Sequence, residues 1–317
     1  MILRFGQLLI LLLFGAGLLF GQRSHQDYTR ATTAFRDGQF FDAELHFARV
    51  AKANPQSARG HFGLALCQVR TARLPSALKN FERALKASDV NAQVYLHYGI
   101  TLEAHSQPEA ANLALQRAVE LAPNNAEAWL HRGRTRLGLG KTLDARSDFE
   151  RSLKLSPALT GAREEIAALD SRAGKWPQAE KSLLSILKAE PRRVRSLFLL
   201  SRNYARAKNR VQAKACLAKW REAEAAQSAR LRAEKRLFSL LALAFKSLRA
   251  HRFDEAWAYI EAGLKTAPRH PSARKSVHSI LQKLGKDKKH AAMRAKIRRR
   301  LAEMKRNSAS PRPGLPR

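Results

Sequence analysis

The stretch of the chain that most resembles a nucleotide-binding motif is Gly138–Thr142. Gly140, Lys141 and Thr142 match the end of the pattern G-x-x-x-x-G-K-[ST], whose backbone amides and lysine hold phosphates. The pattern also requires a glycine where Thr135 stands, and a β-strand before it, whereas this segment has the character of a turn between two helices. We therefore do not predict nucleotide binding here.

Other residue types that hold metals or act as acids and bases lack catalytic spacing. The ten histidines show no H-E-x-x-H arrangement and no clustered acidic or cysteine partners, and no G-x-S-x-G motif occurs. Glu164 and Glu165 form an adjacent carboxylate pair, which we interpret as part of a solvated helix surface. We predict that the protein is not an enzyme and uses no cofactor or metal.

The net charge of +33 is distributed unevenly along the chain. Residues 1–150 contain 18 basic and 13 acidic residues, whereas residues 151–317 contain 41 basic and 13 acidic ones. Such a gradient attracts nucleic acid, acidic lipid, acidic protein segments or anionic wall polymers. The alternative, that lysine and arginine only solvate helix surfaces, stays open.

The N-terminal segment, residues 1–23, contains an apolar run from Phe5 to Gly21. Roughly 17 apolar residues is the lower limit for crossing a membrane, and this run is longer than the core of most signal peptides. We predict a membrane protein with a single N-terminal span; a cleaved signal peptide followed by export is the alternative. Arg4 and Arg23 flank the run on opposite sides, so the charges do not decide its orientation.

From Ser24 onward the sequence repeats every 34 residues. The eighth residue of each of seven units is small, and the twenty-fourth is large and apolar. The twentieth is always alanine: Ala43, Ala77, Ala111, Ala145, Ala179, Ala213 and Ala256. Small residues let two helices approach closely, and the large residue fills the space towards the next unit. Gly38, Gly140 and Gly174 fall between the helices, where a left-handed residue is expected.

This pattern resembles the tetratricopeptide repeat, a helix–turn–helix unit of the same period. In unit 92–125, Tyr95, Gly99, Ala111 and Pro123 occupy the family's positions. The resemblance implies an all-α superhelical solenoid of about seven helical hairpins plus a C-terminal capping helix. The predicted organisation is a hydrophobic segment at 1–23, a repeat array at 24–270 (units 24–57, 58–91, 92–125, 126–159, 160–193, 194–227 and 237–270), basic capping helices at 271–304 and a disordered tail at 305–317. The insertion at 228–236 lies in a stretch without glycine or proline, which predicts a lengthened second helix or an extra turn that offsets the seventh hairpin.

The resemblance also implies that the first helix of each hairpin lines a concave groove. Arginine recurs at the thirteenth position of the units, interleaved with apolar residues, and this combination suits an acidic peptide. The candidate groove residues are Arg36, Arg70, Arg134, Arg172, Arg202, Arg206, Arg249, Phe62, Leu96, Phe198 and Phe245. The alternative is that these arginines only stabilise the negative ends of helix dipoles.

We predict a membrane-tethered scaffold or adaptor that binds a protein or peptide with acidic segments through this groove, and we do not expect a small-molecule ligand. The alternative is an anion-binding module, in which the basic C-terminal half binds nucleic acid, acidic lipid or wall polymer. Its candidate residues are Lys288, Lys289, Arg294, Lys296, Arg298, Arg299 and Arg300.

Overall fold

The computed structural model describes residues 24–250 and 252–266, together with residues 291, 295, 298, 299 and 302. Its two continuous ranges contain thirteen α-helices and no β-strand. The helices are α1 (24–36), α2 (Phe40–Ala53), α3 (Ala58–Arg70), α4 (Leu74–Leu85), α5 (Ala92–Ala104), α6 (Pro108–Leu121), α7 (Ala126–Gly138), α8 (Thr142–Leu155), α9 (Thr160–Arg172), α10 (Trp176–Ala189), α11 (Val194–Arg206), α12 (Arg210–Arg249) and α13 (Phe253–Thr266). The predicted all-α fold of repeated hairpins is confirmed.

The helices α5 and α7, each the first helix of its hairpin, begin after an asparagine that caps the helix N-terminus. Asn91 stands before α5, and its side-chain oxygen accepts hydrogen bonds from the backbone N–H groups of Gln93 and Val94. Asn125 does the same before α7, for the N–H groups of Glu127 and Ala128. These bonds satisfy donors that the first turn of a helix leaves without intrahelical partners, so both helices begin at a defined residue.

In the first six hairpins the turn between the helices contains one residue in the left-handed conformation, and this residue recurs at intervals of 34. Three of these residues are the glycines that the sequence predicts, Gly38, Gly140 and Gly174, with φ between 75° and 78°. The other three carry side chains, with φ of 59° or 60°: Ala72, Ser106 and Lys208. The turn geometry is therefore the same in six successive hairpins, whether or not the residue is glycine.

The two helices of a hairpin touch where the repeat places its small residues. A Cβ atom on Gly133 of α7 would lie 2.6 Å from Cε1 of Phe149 on α8, and one on Gly99 of α5 would lie 2.6 Å from Cγ of Leu115 on α6. Both contacts are closer than any side chain permits. Glycine at these positions is therefore required by the approach of the second helix.

The chain forms two compact units. The central unit comprises Pro55–Val69 and Leu74–Ala229, and the terminal unit comprises Met1–Asn54, Arg70–Arg73 and Arg230–Arg317. In the central unit four of the five large residues at the twenty-fourth repeat position are fully buried, and Leu217 is partly exposed. The four are Phe81, Leu115, Phe149 and Leu183. The core of the terminal unit has Leu237, Leu241, Trp257 and Ile260 at its centre.

Helix α12 is 40 residues long and runs through the predicted insertion at 228–236. It joins the second helix of the sixth predicted unit to the first helix of the seventh without a break. The predicted lengthening is confirmed, because residues 210–249 contain neither glycine nor proline to end the helix. Most of the predicted capping helices and the whole tail at 305–317 lie outside the described residues.

The predicted localisation, a membrane protein with a single N-terminal span, is corrected. In the part of the chain that the structure describes, no helix has both the length and the apolar character needed to cross a membrane. The run Phe5–Gly21, on which that prediction depended, lies outside the described residues.

We expect the left-handed turn residue to affect stability through backbone conformation alone. No atom lies within 4 Å of a Cβ placed on Gly140, so Gly140→Ala introduces only the cost of a positive φ, about 1 kcal/mol of unfolding free energy. Ser106→Gly should change stability in the opposite direction, by up to about 1 kcal/mol. Urea unfolding of both variants measures the two effects. Equal stability of Gly140→Ala and the parent chain would contradict the expectation.

We expect the close helix approach at Gly133 to tolerate no side chain. Gly133→Ala forces Phe149 to move in a filled core, so the unfolding free energy should fall by about 1–3 kcal/mol. Gly138→Ala is the matched control, because Gly138 lies on the same helix with no atom within 4 Å of its Cβ position. The control should be neutral or slightly stabilising. Similar losses in both variants would show that the helix, rather than the contact with Phe149, is affected.

Candidate functional site

The candidate groove residues divide between the two compact units. Seven of them lie on the first helices α3, α5, α7, α9 and α11 of the central unit: Phe62, Leu96, Arg134, Arg172, Phe198, Arg202 and Arg206. The others, Arg36, Arg70, Phe245 and Arg249, belong to the terminal unit. The contacts of the side chains in each set show which of them can reach a ligand.

Arg134 is held by a buried carboxylate. Its Nε donates a hydrogen bond to Oε1 of Glu165 on α9, at 2.7 Å, and Arg195 donates to the other oxygen of Glu165 at 2.6 Å. The side chain of Glu165 is only 4% exposed, whereas that of Arg134 is 28% exposed. Glu165 therefore fixes the orientation of a guanidinium group that still reaches solvent.

The neighbouring carboxylate of Glu164 is completely buried. It accepts hydrogen bonds from Arg193 Nε at 2.7 Å, Arg193 Nη2 at 3.1 Å and Ser196 Oγ at 2.6 Å. The hydrogen bond to Glu164 is the main cause of a raised pKa of Arg193. The interpretation of Glu164 and Glu165 as a solvated surface pair is therefore wrong: both join α9 to the following hairpin.

A second arginine network joins α7 to α8. Arg132 is buried, and its Nε and Nη2 donate to the two carboxylate oxygens of Asp148 at 2.9 and 2.5 Å. Arg136 donates to the same carboxylate at 3.0 Å, and the guanidinium of Arg132 lies 4.4 Å from the ring centroid of Trp129. Both guanidinium groups bind the one carboxylate of Asp148 and so join the two helices of the hairpin.

Arg172, Arg202 and Arg206 form a different kind of group, which we call the arginine cluster. Arg206 Nη1 donates to Ser171 Oγ at 3.2 Å, and this contact brings the end of α11 beside Arg172 at the end of α9. Arg202 lies one turn before Arg206 on the same helix face. No ion pair involves any of the three within the described part of the chain.

The arginine cluster is a region of uncompensated positive charge. The pKa of Arg206 is lowered, first by burial and then by repulsion from Arg202 and Arg172. Lowering means that the surroundings disfavour the charged guanidinium, and an anion placed there would relieve the repulsion. The cluster can therefore hold carboxylate or other anionic groups.

Aromatic side chains adjoin the arginine cluster. The guanidinium of Arg202 lies 5.5 Å from the ring centroid of Phe198, and the ring of Phe198 lies 5.4 Å from that of Trp220 on α12. Both aromatic side chains are partly exposed. Their location gives the cluster an apolar contact surface beside its charges.

The apolar candidates on α3 and α5 differ in exposure. Phe62 is partly exposed, and its ring centroid lies 6.1 Å from that of Phe81 and 5.8 Å from that of His97. Leu96 is 1% exposed and belongs to a hydrophobic core cluster. Phe62 can contact a ligand in the groove, whereas Leu96 packs in the interior.

The candidates of the terminal unit have mixed environments. Arg36 is exposed, and the exposed Arg70 places its guanidinium 5.0 Å from the ring centroid of Phe40. Phe245 is 9% exposed and packs in the terminal core. The side chain of Arg249 lies outside what the structure describes.

The candidates for anion binding fall mainly beyond the described residues. Arg298 and Arg299 are described, helical and exposed. The rest lie outside: Lys288, Lys289, Arg294, Lys296 and Arg300. Among the described residues, no cluster of histidine, cysteine and carboxylate groups could hold a metal ion.

We expect Glu164 to be a major source of stability. Glu164→Gln removes the charge that faces Arg193 and Arg195, and should lower the unfolding free energy by about 3 kcal/mol, near the lower limit for a broken buried ion pair because Arg193 is partly exposed. Glu150→Gln is the control: Glu150 is 59% exposed and lies 3.7 Å from Arg146, so its loss should cost less than about 1 kcal/mol. Urea unfolding compares them, and equal small losses would contradict the structural role.

Comparison with known proteins agrees with this architecture. Residues 28–92 and 98–159 match the family model of the tetratricopeptide repeat. No curated protein matches the chain. Among solved structures, Pseudomonas aeruginosa PilF is similar with a TM-score of 0.56 and 21% identity, over 65% of this chain and 98% of PilF.

Two further solved structures show the same likeness. PilW, a type IV pilus biogenesis factor, has a TM-score of 0.56 and 20% identity, over 62% of this chain and 91% of PilW. A tetratricopeptide repeat protein from Parabacteroides merdae has a TM-score of 0.53 and 16% identity, over 82% of this chain and 99% of its own. At such identities the likeness establishes the fold. The chain therefore has the all-α fold of a tetratricopeptide-repeat solenoid, and its residues 28–92 and 98–159 match the family model of that repeat.

Proposed function

We propose that the central unit is a scaffold that binds an acidic segment of a protein partner along its first helices. The arginine cluster holds the carboxylates of that segment, and Phe198 with Trp220 contacts an apolar side chain beside them. Arg134, oriented by Glu165, extends the positive surface towards the middle of the unit. Tetratricopeptide repeats typically provide a platform for protein partners, and the chemistry of this groove defines which partner fits.

The observation that carries the proposal is a contrast among arginines of the same unit. Arg132, Arg193 and Arg195 face buried or nearly buried carboxylates, so their charges are used in holding hairpins together. The arginine cluster has no such carboxylate in the described part of the chain, although carboxylates are built into the neighbouring hairpins. An incoming carboxylate would accept charge-assisted hydrogen bonds from these arginines and supply the negative charge that the fold does not provide.

Stabilisation of helix dipoles explains the arginine cluster only in part. Arg172 and Arg206 are the last residues of α9 and α11, where a cation is favourable. Arg202 lies a full turn inside α11 and beside Phe198, so the dipole gives no reason for its position. Two arginines four residues apart on a helix also repel one another, so this pair does not serve only to stabilise the helix.

Binding to an isolated acidic peptide tests the proposal. The probe is a fluorescent peptide that alternates glutamate with phenylalanine, compared with the same peptide carrying glutamine for glutamate. Changing all three residues of the arginine cluster to glutamate should weaken binding at least about 100-fold, because each charge-assisted contact of about 1.4 kcal/mol corresponds to a factor of ten. Fluorescence anisotropy near 0.15 M salt, where the screening length is about 8 Å, measures the loss.

A matched control separates the site from the overall positive charge. Lys154, Lys181 and Lys188 are exposed on the second helices α8 and α10, and reversing them changes the net charge by the same amount. This variant should bind the glutamate peptide within about threefold of the parent chain, since distant charges are screened. The proposal fails if both triple variants lose affinity for the peptide and for heparin in parallel, or if the glutamine peptide binds equally well.

The alternative of a general anion-binding module makes a different prediction for the same titrations. Binding would then follow the basic C-terminal half, fall steeply with salt and discriminate little between peptide and heparin. Of its candidates only Arg298 and Arg299 lie in the described part of the chain, so no observed geometry favours it over the arginine cluster.

A further inference from the structure

A cavity of about 550 Å³ lies within the terminal unit. Its walls come from α2, from the turn at 70–73 and from the second half of α12, all of which belong to that unit. Phe41, Leu231, Phe238 and Ala242 form its apolar wall. The volume falls within the range of roughly 300–1,000 Å³ that is usual for small-molecule sites.

Two of the charged side chains in the cavity wall already have partners. Arg73 donates hydrogen bonds to both carboxylate oxygens of Glu44, at 3.2 and 2.5 Å, and its guanidinium lies 5.6 Å from the ring centroid of Phe41. Glu234 accepts a hydrogen bond from Arg230 at 3.0 Å. Each of these two side chains therefore has an ion-pair partner within the protein.

Two further cations in the wall, Arg70 and Lys235, have no ion pair with any residue that the structure describes. Both side chains are exposed, so their charged ends reach solvent at the opening of the cavity. The guanidinium of Arg70 lies 5.0 Å from the ring centroid of Phe40, which orients its planar donor fork. The cavity thus combines an apolar wall with uncompensated positive charge.

Size and charge together define the ligand. An α-helix is about 10–12 Å across and would not enter a space of this volume, whereas one alkyl chain fits. The planar fork of an arginine matches a carboxylate, and the apolar wall favours an aliphatic body. We propose that this cavity binds a small amphiphilic carboxylate, with its head at Arg70 and Lys235 and its alkyl chain against Phe41, Phe238 and Leu231.

A chain-length series on the full chain tests the proposal. Hexanoate, octanoate and decanoate, each below its micelle concentration, should bind once per chain in calorimetric titration. Affinity should rise by about fourfold for each buried methylene until the cavity is full. Decanol and decyltrimethylammonium, which have the same chain and no negative head, should bind at least about tenfold more weakly.

Variants of the wall locate the site. Ala242→Phe fills the cavity, and the double change Arg70→Gln with Lys235→Gln removes the charges that face the head group. Each should reduce decanoate affinity at least about tenfold. The control is Lys52→Gln with Lys246→Gln, which removes two exposed lysines of the same unit that do not line the cavity and should leave decanoate affinity unchanged.

Equal binding of decanoate, decanol and decyltrimethylammonium would overturn the proposal, as would an equal loss in the lysine control. If Ala242→Phe fails to fold, the charge variants and the ligand series decide the matter by themselves. The site is independent of the arginine cluster, so saturating decanoate should leave binding of the acidic peptide unchanged. Failure of either proposal therefore does not affect the other.

Discussion

The contact between the two helices of each hairpin is the constraint on which the central unit depends. Gly133 has no room for a Cβ atom, because Phe149 fills the space that the atom would occupy. A helix pair this close leaves the aromatic ring fully buried, and the ring in turn packs against the next hairpin. The rotation of each first helix about its axis is thereby fixed, so residues at one repeat position lie on the same face of their helices. The position of every arginine on these helices follows from that contact.

Burial then decides which arginines need partners inside the protein. A guanidinium group that loses water at a hairpin contact is costly unless a carboxylate faces it, and Arg132 with Asp148 meets that requirement. Glu164 and Glu165 do the same between successive hairpins. An arginine that keeps contact with water needs no internal carboxylate. Such an arginine can exchange water for the anionic group of a partner, which is the property that binding requires.

Sequence periodicity predicts the helices, their turns and the small residues at their contacts, because these features recur at one spacing. It does not reveal the left-handed conformation of Ala72, Ser106 and Lys208, since only glycine marks that conformation in a sequence. Sequence periodicity also does not reveal the burial of Glu164, because its partner Arg193 lies 29 residues away on another hairpin. The sequence signal for this ion pair is a glutamate and an arginine separated by nearly one repeat length. The cavity wall combines segments almost 200 residues apart in a chain with an interrupted repeat, so its lining cannot be deduced from spacing.

The absence of an ion-pair partner is not by itself evidence of a site in this chain. Residues 151–317 contain 41 basic and only 13 acidic residues, so most of their cations must lack a carboxylate whatever their function. The arginine cluster differs because its cations converge from two helices, and burial followed by their mutual repulsion lowers the pKa of Arg206. The fold keeps these cations close together despite their repulsion. Partly exposed aromatic rings lie beside them. Convergence, repulsion and an adjacent apolar surface together distinguish a binding surface from a solvated one.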